Sequence, residues 1–390
     1  MRRSIARILA FSCIAAGAIA AAYTFWFWRQ QTRPGMTHYT RGTEMAAAGR
    51  FVDAEREWLR GVEKDPSFPG CRERLGDLYM ELRRYAEAAT AYGGAAERSP
   101  KNGPLFLKLA RAEQMLGDTE SAAIAAQRAA RLMPDDPEVV GLHGMLLAKN
   151  KNIPAAMQAL QRALALRPGD RRFLLGLVSL EMDTLDMRGA EAYLAPYLKA
   201  HPGDAEACYY MAVLYNQKQR TRANLISALD YANRAQRGRP RDYRIYALLG
   251  QLYHDIGQPK NALAAYRAGA LLAPNDEAIL RGLVTVHTRL GDRAKATAAA
   301  ARLETVSARH DRIEHLRHRL GFNHQDREAG LELARLEEED GELKAAQAYL
   351  VEFVRQAPRD PRPRQALVAF LRRRGQKDLA QQAARPDFVP

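Results

Sequence analysis

The sequence predicts an all-α solenoid of paired helices behind a single N-terminal apolar segment. Three observations predict it. Prolines at Pro66, Pro100, Pro134, Pro168 and Pro202 recur every 34 residues, an alanine column runs in step with them, and Ile8 to Trp28 form an uncharged run behind a basic tip. So strict a period means one supersecondary unit repeated, each copy unable to cover its apolar stripe without its neighbours. With 47% apolar and 27% charged residues among 390, the chain falls outside the composition of disordered proteins.

Taken in order, the first element is the apolar run. Arg2, Arg3 and Arg7 precede it and Arg29 ends it. As a helix it would span about 31 Å at ~1.5 Å per residue, matching a hydrocarbon core of ~30 Å. The leading arginines put the N-terminus in the cytoplasm, and Tyr23, Trp26 and Trp28 then fall in the opposite aromatic belt. Residues 1–34 therefore read as a cytoplasmic tip and a transmembrane helix, with residues 8–28 in the membrane. The expected location is a bacterial inner membrane, single-pass, with the repeats in the periplasm. Ala20 and Ala22 also supply an A-x-A cleavage site, so release to the periplasm after signal cleavage stands as the alternative.

Eight units are predicted over 35–310. The first, 35–68, carries Gly42, Ala54, Trp58, Gly61 and Pro66, and the second, 69–102, carries Leu75-Gly76, Tyr79, Ala88, Tyr92, Ala95 and Pro100. The fourth keeps Gly144, Leu147, Ala156, Leu160, Ala163 and Pro168. From Pro202 to Pro240 the interval is 38 residues, which places a four-residue insertion within residues 218–225, at the turn of the sixth unit. Tyr246, Leu249-Gly250, Tyr253, Ala262, Tyr266 and Pro274 restore the pattern in 243–276, whereas 277–310 lacks the proline. Residues 311–326 fit no register and are predicted to be an irregular connector. A ninth unit and C-terminal capping helices fill 327–390.

Each unit reads as a helix A and a helix B with apolar residues at i, i+3, i+4 and i+7, joined at turns such as Gly49, Gly117-Asp118, Gly257, Gly291-Asp292 and Gly341. On helix B a small residue recurs at Ala54, Ala88, Ala122, Ala156, Ala190, Ala228, Ala262, Ala296, Ala346 and Ala380, letting backbones approach. The Leu-Gly step of helix A is expected to face this alanine, with Tyr or Trp filling the space toward the neighbouring unit.

This template resembles the tetratricopeptide repeat, whose W-x2-L-G-x2-Y…A-x3-F…P pattern it follows over roughly 350 residues. The resemblance implies a superhelix whose A helices line a concave, peptide-binding face. It also implies a test for the family's carboxylate clamp, which needs Lys and Asn at set A-helix positions. Here those positions hold Glu73 and Asp77, Leu107 and Arg111, then Gly141 and Met145, so the clamp is absent. Instead Leu107, Arg111, Met145, Leu175, Met182, Tyr209 and Val213 follow one expected face and are read as the partner-binding residues.

Other chemistries find little footing. Cys13, Cys71 and Cys208 form no CxxC pair, and no GxSxG, P-loop or dinucleotide fingerprint occurs, so no catalytic residue and no cofactor is expected. His310, His315, His318 and His324 come nearest to a metal constellation, with Asp311, Glu314 and Asp326 nearby. Without metal-ligand spacing they read as a polar linker. The formal charge of +14 leaves a polyanion such as an anionic polysaccharide as an alternative ligand, while acidic residues interleaved among 48 Arg argue against a nucleic-acid surface. The expected function is a non-catalytic, membrane-anchored scaffold for protein–protein interactions in a cell-envelope assembly. Export, exopolysaccharide, pilus, outer-membrane and cytochrome biogenesis are not told apart.

Overall fold

The computed structural model describes residues 33–385, so the apolar run at 8–28 lies outside the described residues. Among the described residues there are twenty helices and no strand, and no helix is long and apolar enough to cross a membrane. They fall into two compact units, the chain dividing between Tyr197 and Leu198.

The first unit holds α1 (Pro34–Ala47), α2 (Phe51–Lys64), α3 (Pro69–Glu81), α4 (Tyr85–Arg98), α5 (Gly103–Leu116), α6 (Thr119–Leu132), α7 (Pro137–Lys149), α8 (Ile153–Leu166), α9 (Arg171–Asp183) and most of α10 (Met187–Ala200). The second holds α11 (Ala205–Gln217), α12 (Arg222–Gly238), α13 (Tyr243–Asp255), α14 (Pro259–Leu272), α15 (Glu277–Arg289), α16 (Arg293–Phe322), α17 (Arg327–Asp340), α18 (Leu343–Gln356), α19 (Pro361–Arg373) and α20 (Lys377–Ala383). Odd-numbered helices are A helices and even-numbered ones B helices. From α1 to α9 and from α11 to α20 each helix packs on the next, A on its own B and B on the following A.

Local chemistry sets the boundaries. Asp136, Asp170, Asp204, Asp242, Asp276 and Asp360 stand at the N-caps of A helices, where each carboxylate accepts a backbone N–H two or three residues on. A cap of this kind satisfies one of the amides left free by the first turn, worth about 1 kcal/mol. Except in the sixth unit, the chain turns between A and B through a left-handed residue, a conformation that glycine adopts without steric cost at Gly117 (φ 94°). In three units the same turn position is not glycine: Arg83 (58°), Lys151 (61°) and Leu185 (63°) are held there instead.

Nine of the ten column alanines are at most 2% exposed, and Ala296 alone among them is half-buried. The aromatic residues of helix B differ from expectation. A Cβ added to Gly42 would sit 2.4 Å from the Trp58 ring system, one at Gly76 2.5 Å from Tyr92, and one at Gly250 2.6 Å from Tyr266. Each ring thus closes on the glycine of its own unit. Tyr266 also does what was expected, because Gly282 on the next A helix would place a Cβ 2.2 Å from the same ring.

Two further expectations are corrected. The insertion in the sixth unit enters largely as helix: α12 has 17 residues where α14 has 14, and Thr221 caps it by accepting from the Asn224 amide. Residues 311–326 are not an irregular connector, since 311–322 continue α16 as one 30-residue helix. No proline interrupts Arg293 to Phe322, and Val306, Ile313, Leu316 and Leu320 recur at helical spacing and are buried. The second half of α16 then docks on α17: Arg312 pairs with Glu332 at 2.7 Å, and Arg317 with Glu337, also at 2.7 Å.

Candidate functional site

In the second unit the A helices α11, α13 and α15 present equivalent positions at intervals of 38 and 34 residues. Tyr209, Ala247 and Arg281 form one row, and Val213, Gln251 and Thr285 the next, because residues four apart share a helix face. Together they line a cavity of ≈ 640 Å³, with Asn216 and His254 at one end and Arg244 and Asp276 at the other. That volume lies in the range, about 300–1,000 Å³, of ligand clefts with apolar floors and a few polar groups.

Tyr266 supplies the floor. Its ring wedges against Gly250 and Gly282, and burial pushes its phenol up to about 12. Neutral at physiological pH, it offers apolar surface to the cavity. Tyr209 is likewise raised by burial, with the Arg244 guanidinium 5.3 Å from its ring centroid. Asp242 holds that guanidinium at 2.7 Å, and the same hydrogen bond lowers the Asp242 carboxyl. Arg281 is paired with Glu277. The cations of the site are therefore neutralised locally and fix the position of Tyr209 rather than displaying free charge.

Asn216 is different. Its Oδ1 is buried and has no hydrogen-bond partner. An unmade hydrogen bond of a buried acceptor costs about 1–3 kcal/mol, so this oxygen favours any donor that enters. A backbone N–H of an extended segment has the required chemistry, and Gln251 and Thr285 offer further amide and hydroxyl groups along the same wall.

The seven residues read from the sequence divide between the two units. Tyr209 and Val213 line this cavity, half-buried. Leu107, Arg111, Met145, Leu175 and Met182 belong to the first unit. There Leu107 and Met145 are half-buried and pack on the core around Ala110, Ala126 and Leu146, while Arg111 is exposed and Met182 half-buried. Leu175 is corrected: at 7% exposure it is a packing residue. The cause lies one residue pair away, where the missing side chain of Gly141 lets the Phe173 ring seat directly on α7 and draw α9 close. Glu73 and Asp77, at clamp positions, are both held by Lys108 Nζ, at 2.7 and 2.8 Å, and Tyr92 donates to Asp77 at 2.8 Å.

Asn216, Gln251, Arg281 and Thr285 were missed by sequence reasoning. A signal was present: adding 38 and then 34 residues to Tyr209 and Val213 reaches Ala247, Gln251, Arg281 and Thr285. Of the histidines, His310 bridges Glu277 and Asp340, His315 and His318 are exposed on α16, and His324 is exposed in the turn after it.

Tetratricopeptide-repeat family models match residues 39–104, 79–146 and 243–276. These segments thus match tetratricopeptide repeats, and the last of them contains α13 and α14 of the candidate site. Among curated proteins, it is 27% identical over 237 residues to the BBSome complex member BBS4 of Bos taurus, covering 60% of this chain and 44% of that protein. It is 28% identical over 167 residues to the human protein O-mannosyl-transferase TMTC1, covering 41% of this chain and 18% of the relative. The matches span less than half of either relative. Among solved structures, PilF of Pseudomonas aeruginosa aligns at 18% identity with a TM-score of 0.47, covering 56% of this chain and 96% of that one.

Proposed function

We propose that this chain is a non-catalytic scaffold that holds an extended segment of a partner protein along α11, α13 and α15. The observation that carries this reading is the unpaired, buried Oδ1 of Asn216 beside a cavity floored by Tyr266. A segment lying there would give Asn216 a backbone N–H and cover Val213 and the Tyr209 ring with an apolar side chain. Tetratricopeptide repeats suit the task because each unit adds one more row to the same wall. A polyanion is a weaker fit to this site, since Arg244 and Arg281 are already neutralised by Asp242 and Glu277.

The reading includes the placement drawn from the sequence. Residues 8–28 would anchor the chain in a bacterial inner membrane with the repeats in the periplasm, where it would serve a cell-envelope assembly: export, exopolysaccharide, pilus, outer-membrane or cytochrome biogenesis. Alkaline phosphatase fused after Pro390 tests the placement, and an inactive fusion sinks it.

For the site, a photo-crosslinking amino acid at Gln251 in the full chain should yield a partner adduct in cells. The same group at Leu271, which is 87% exposed on α14, should not. Equal adducts at both positions would show that the cavity has no special role.

A further inference from the structure

A second cavity, of ≈ 800 Å³, opens at the far end of the second unit and shares no residue with the first. One face of α19 builds it. Pro361, Arg364, Val368 and Arg372 recur at intervals of three or four residues, joined by Arg359 before the helix and Ala384 after α20. This stripe runs about 16 Å along the helix at ~1.5 Å per residue, or three turns. Earlier in the same unit an A helix packs on the A helix that follows it: α13 touches α15, and α17 touches α19. Among the described residues no helix follows α20, which has seven residues where α18 has 14.

Its charge is one-sided. Among the described residues no carboxylate lines the cavity, and neither Arg359 nor Arg372 is in an ion pair, although neighbouring arginines are: Arg362 with Asp360, Arg373 with Glu338. The floor is apolar, with Pro361 exposed, Ala369 half-buried and Val368 part of the core beneath them. We propose that this face docks an acidic amphipathic helix of about three turns from a partner protein, its apolar stripe on Pro361 and Ala369 and its carboxylates against Arg359 and Arg372. The geometry is that of a helix laid in a groove, with anchors at i, i+3, i+4 and i+7. Guanidinium–carboxylate pairs are well suited to such a rim, because the planar fork bonds both carboxylate oxygens.

The test is fluorescence anisotropy of the full chain with a labelled 15-residue Leu/Glu amphipathic peptide, and with the same peptide carrying Lys in place of Glu. The acidic peptide should bind at least tenfold more tightly than the basic one. Arg359→Ser with Arg372→Ser should weaken it at least tenfold, while Leu271→Ser, exposed on α14 outside both cavities, should leave it within twofold. Circular dichroism melting confirms that the double variant is folded, since both side chains are at the surface. Undiminished binding to the double variant overturns the proposal. A tenfold gain on removing residues 386–390 also overturns it, because the natural occupant would then be the chain's own Asp387–Val389 segment. Self-association of the free chain that is lost in the double variant would instead assign the face to a second copy.

Discussion

His310 Nε2 lies 2.9 Å from Asp340 Oδ2, on the A helix that follows α16, and its Nδ1 lies 2.9 Å from Glu277 Oε1, on the one before. A neutral imidazole donates through one nitrogen, so satisfying both carboxylates requires the charged ring. Burial opposes that charge, yet the hydrogen bonds that His310 donates to Glu277 and Asp340 outweigh it and raise the His310 pKa. Glu277 is lowered in turn, chiefly by His310, with a further hydrogen bond from Arg281. A group raised on folding contributes stability that is complete below its unfolded value, ~6.5 for histidine, and is lost as pH rises through the folded value. Glu277, lowered on folding, sets the acid limit: its contribution is lost as pH falls through its depressed value. The melting-temperature difference between the native chain and His310→Gln should therefore be largest near about pH 5–6 and shrink above about pH 7. A difference that grows with pH would contradict the bridge.

Arg317 and Glu337 make the complementary case on the same helix pair. Glu337 is 1% exposed, and Arg317 donates to its Oε1 from both Nε and Nη2. Arg317 is itself 45% exposed, so solvent screens the pair, and its energetic weight lies in keeping the buried carboxylate hydrogen-bonded. Arg317→Ala should cost about 1–3 kcal/mol in denaturant unfolding. Adding Glu337→Gln should recover most of that loss. If Arg317→Ala is silent, α16 does not depend on this contact. Because the helix is continuous, limited trypsin digestion should also spare Arg312 and Arg317.

Leu185 occupies the left-handed turn at φ 63° and is 76% exposed, so it bears the backbone cost without a packing gain. For a non-glycine residue that conformation costs about 1–2 kcal/mol, against about 0.5–1 kcal/mol of extra chain entropy lost by glycine. Leu185→Gly should stabilise the first unit by up to about 1 kcal/mol, read as a higher urea midpoint at unchanged slope. Destabilisation would mean that the Leu185 side chain has a contact that outweighs the strain.

The period and the alanine column were legible because they record one local constraint, a backbone contact that admits no side chain beyond Cβ, repeated unit after unit. Helix α16 was not legible in the same way. A search for the repeat register asks where the template recurs, and 311–322 departs from the template while keeping helical spacing at Ile313, Leu316 and Leu320. At the candidate site, Tyr209 and Val213 could be read from position alone. The unpaired oxygen of Asn216 could not, since it depends on what the neighbouring helices fail to offer. Leu175 shows the converse: an apolar residue on an A helix can be core or face, and here the absence of a side chain at Gly141 decides for core.

That difference between Leu175 and the pair Tyr209 and Val213 separates the peptide-groove reading from a purely structural one. All three were read as partner contacts, but Leu175 is buried while the other two are half-buried at the cavity wall. Leu175→Ser should destabilise the first unit by about 2–5 kcal/mol, since it combines a cavity with a buried hydroxyl. Tyr209→Ser with Val213→Ser should shift the melting temperature little, because Tyr266 continues to fill the space between Gly250 and Gly282 beneath them. Each apolar side chain covered by a bound segment is worth roughly 1.5–3 kcal/mol, so the double variant should lose at least tenfold in partner affinity. A double variant that melts early but retains its partner would make Tyr209 and Val213 core residues like Leu175, and the groove would have to be sought elsewhere.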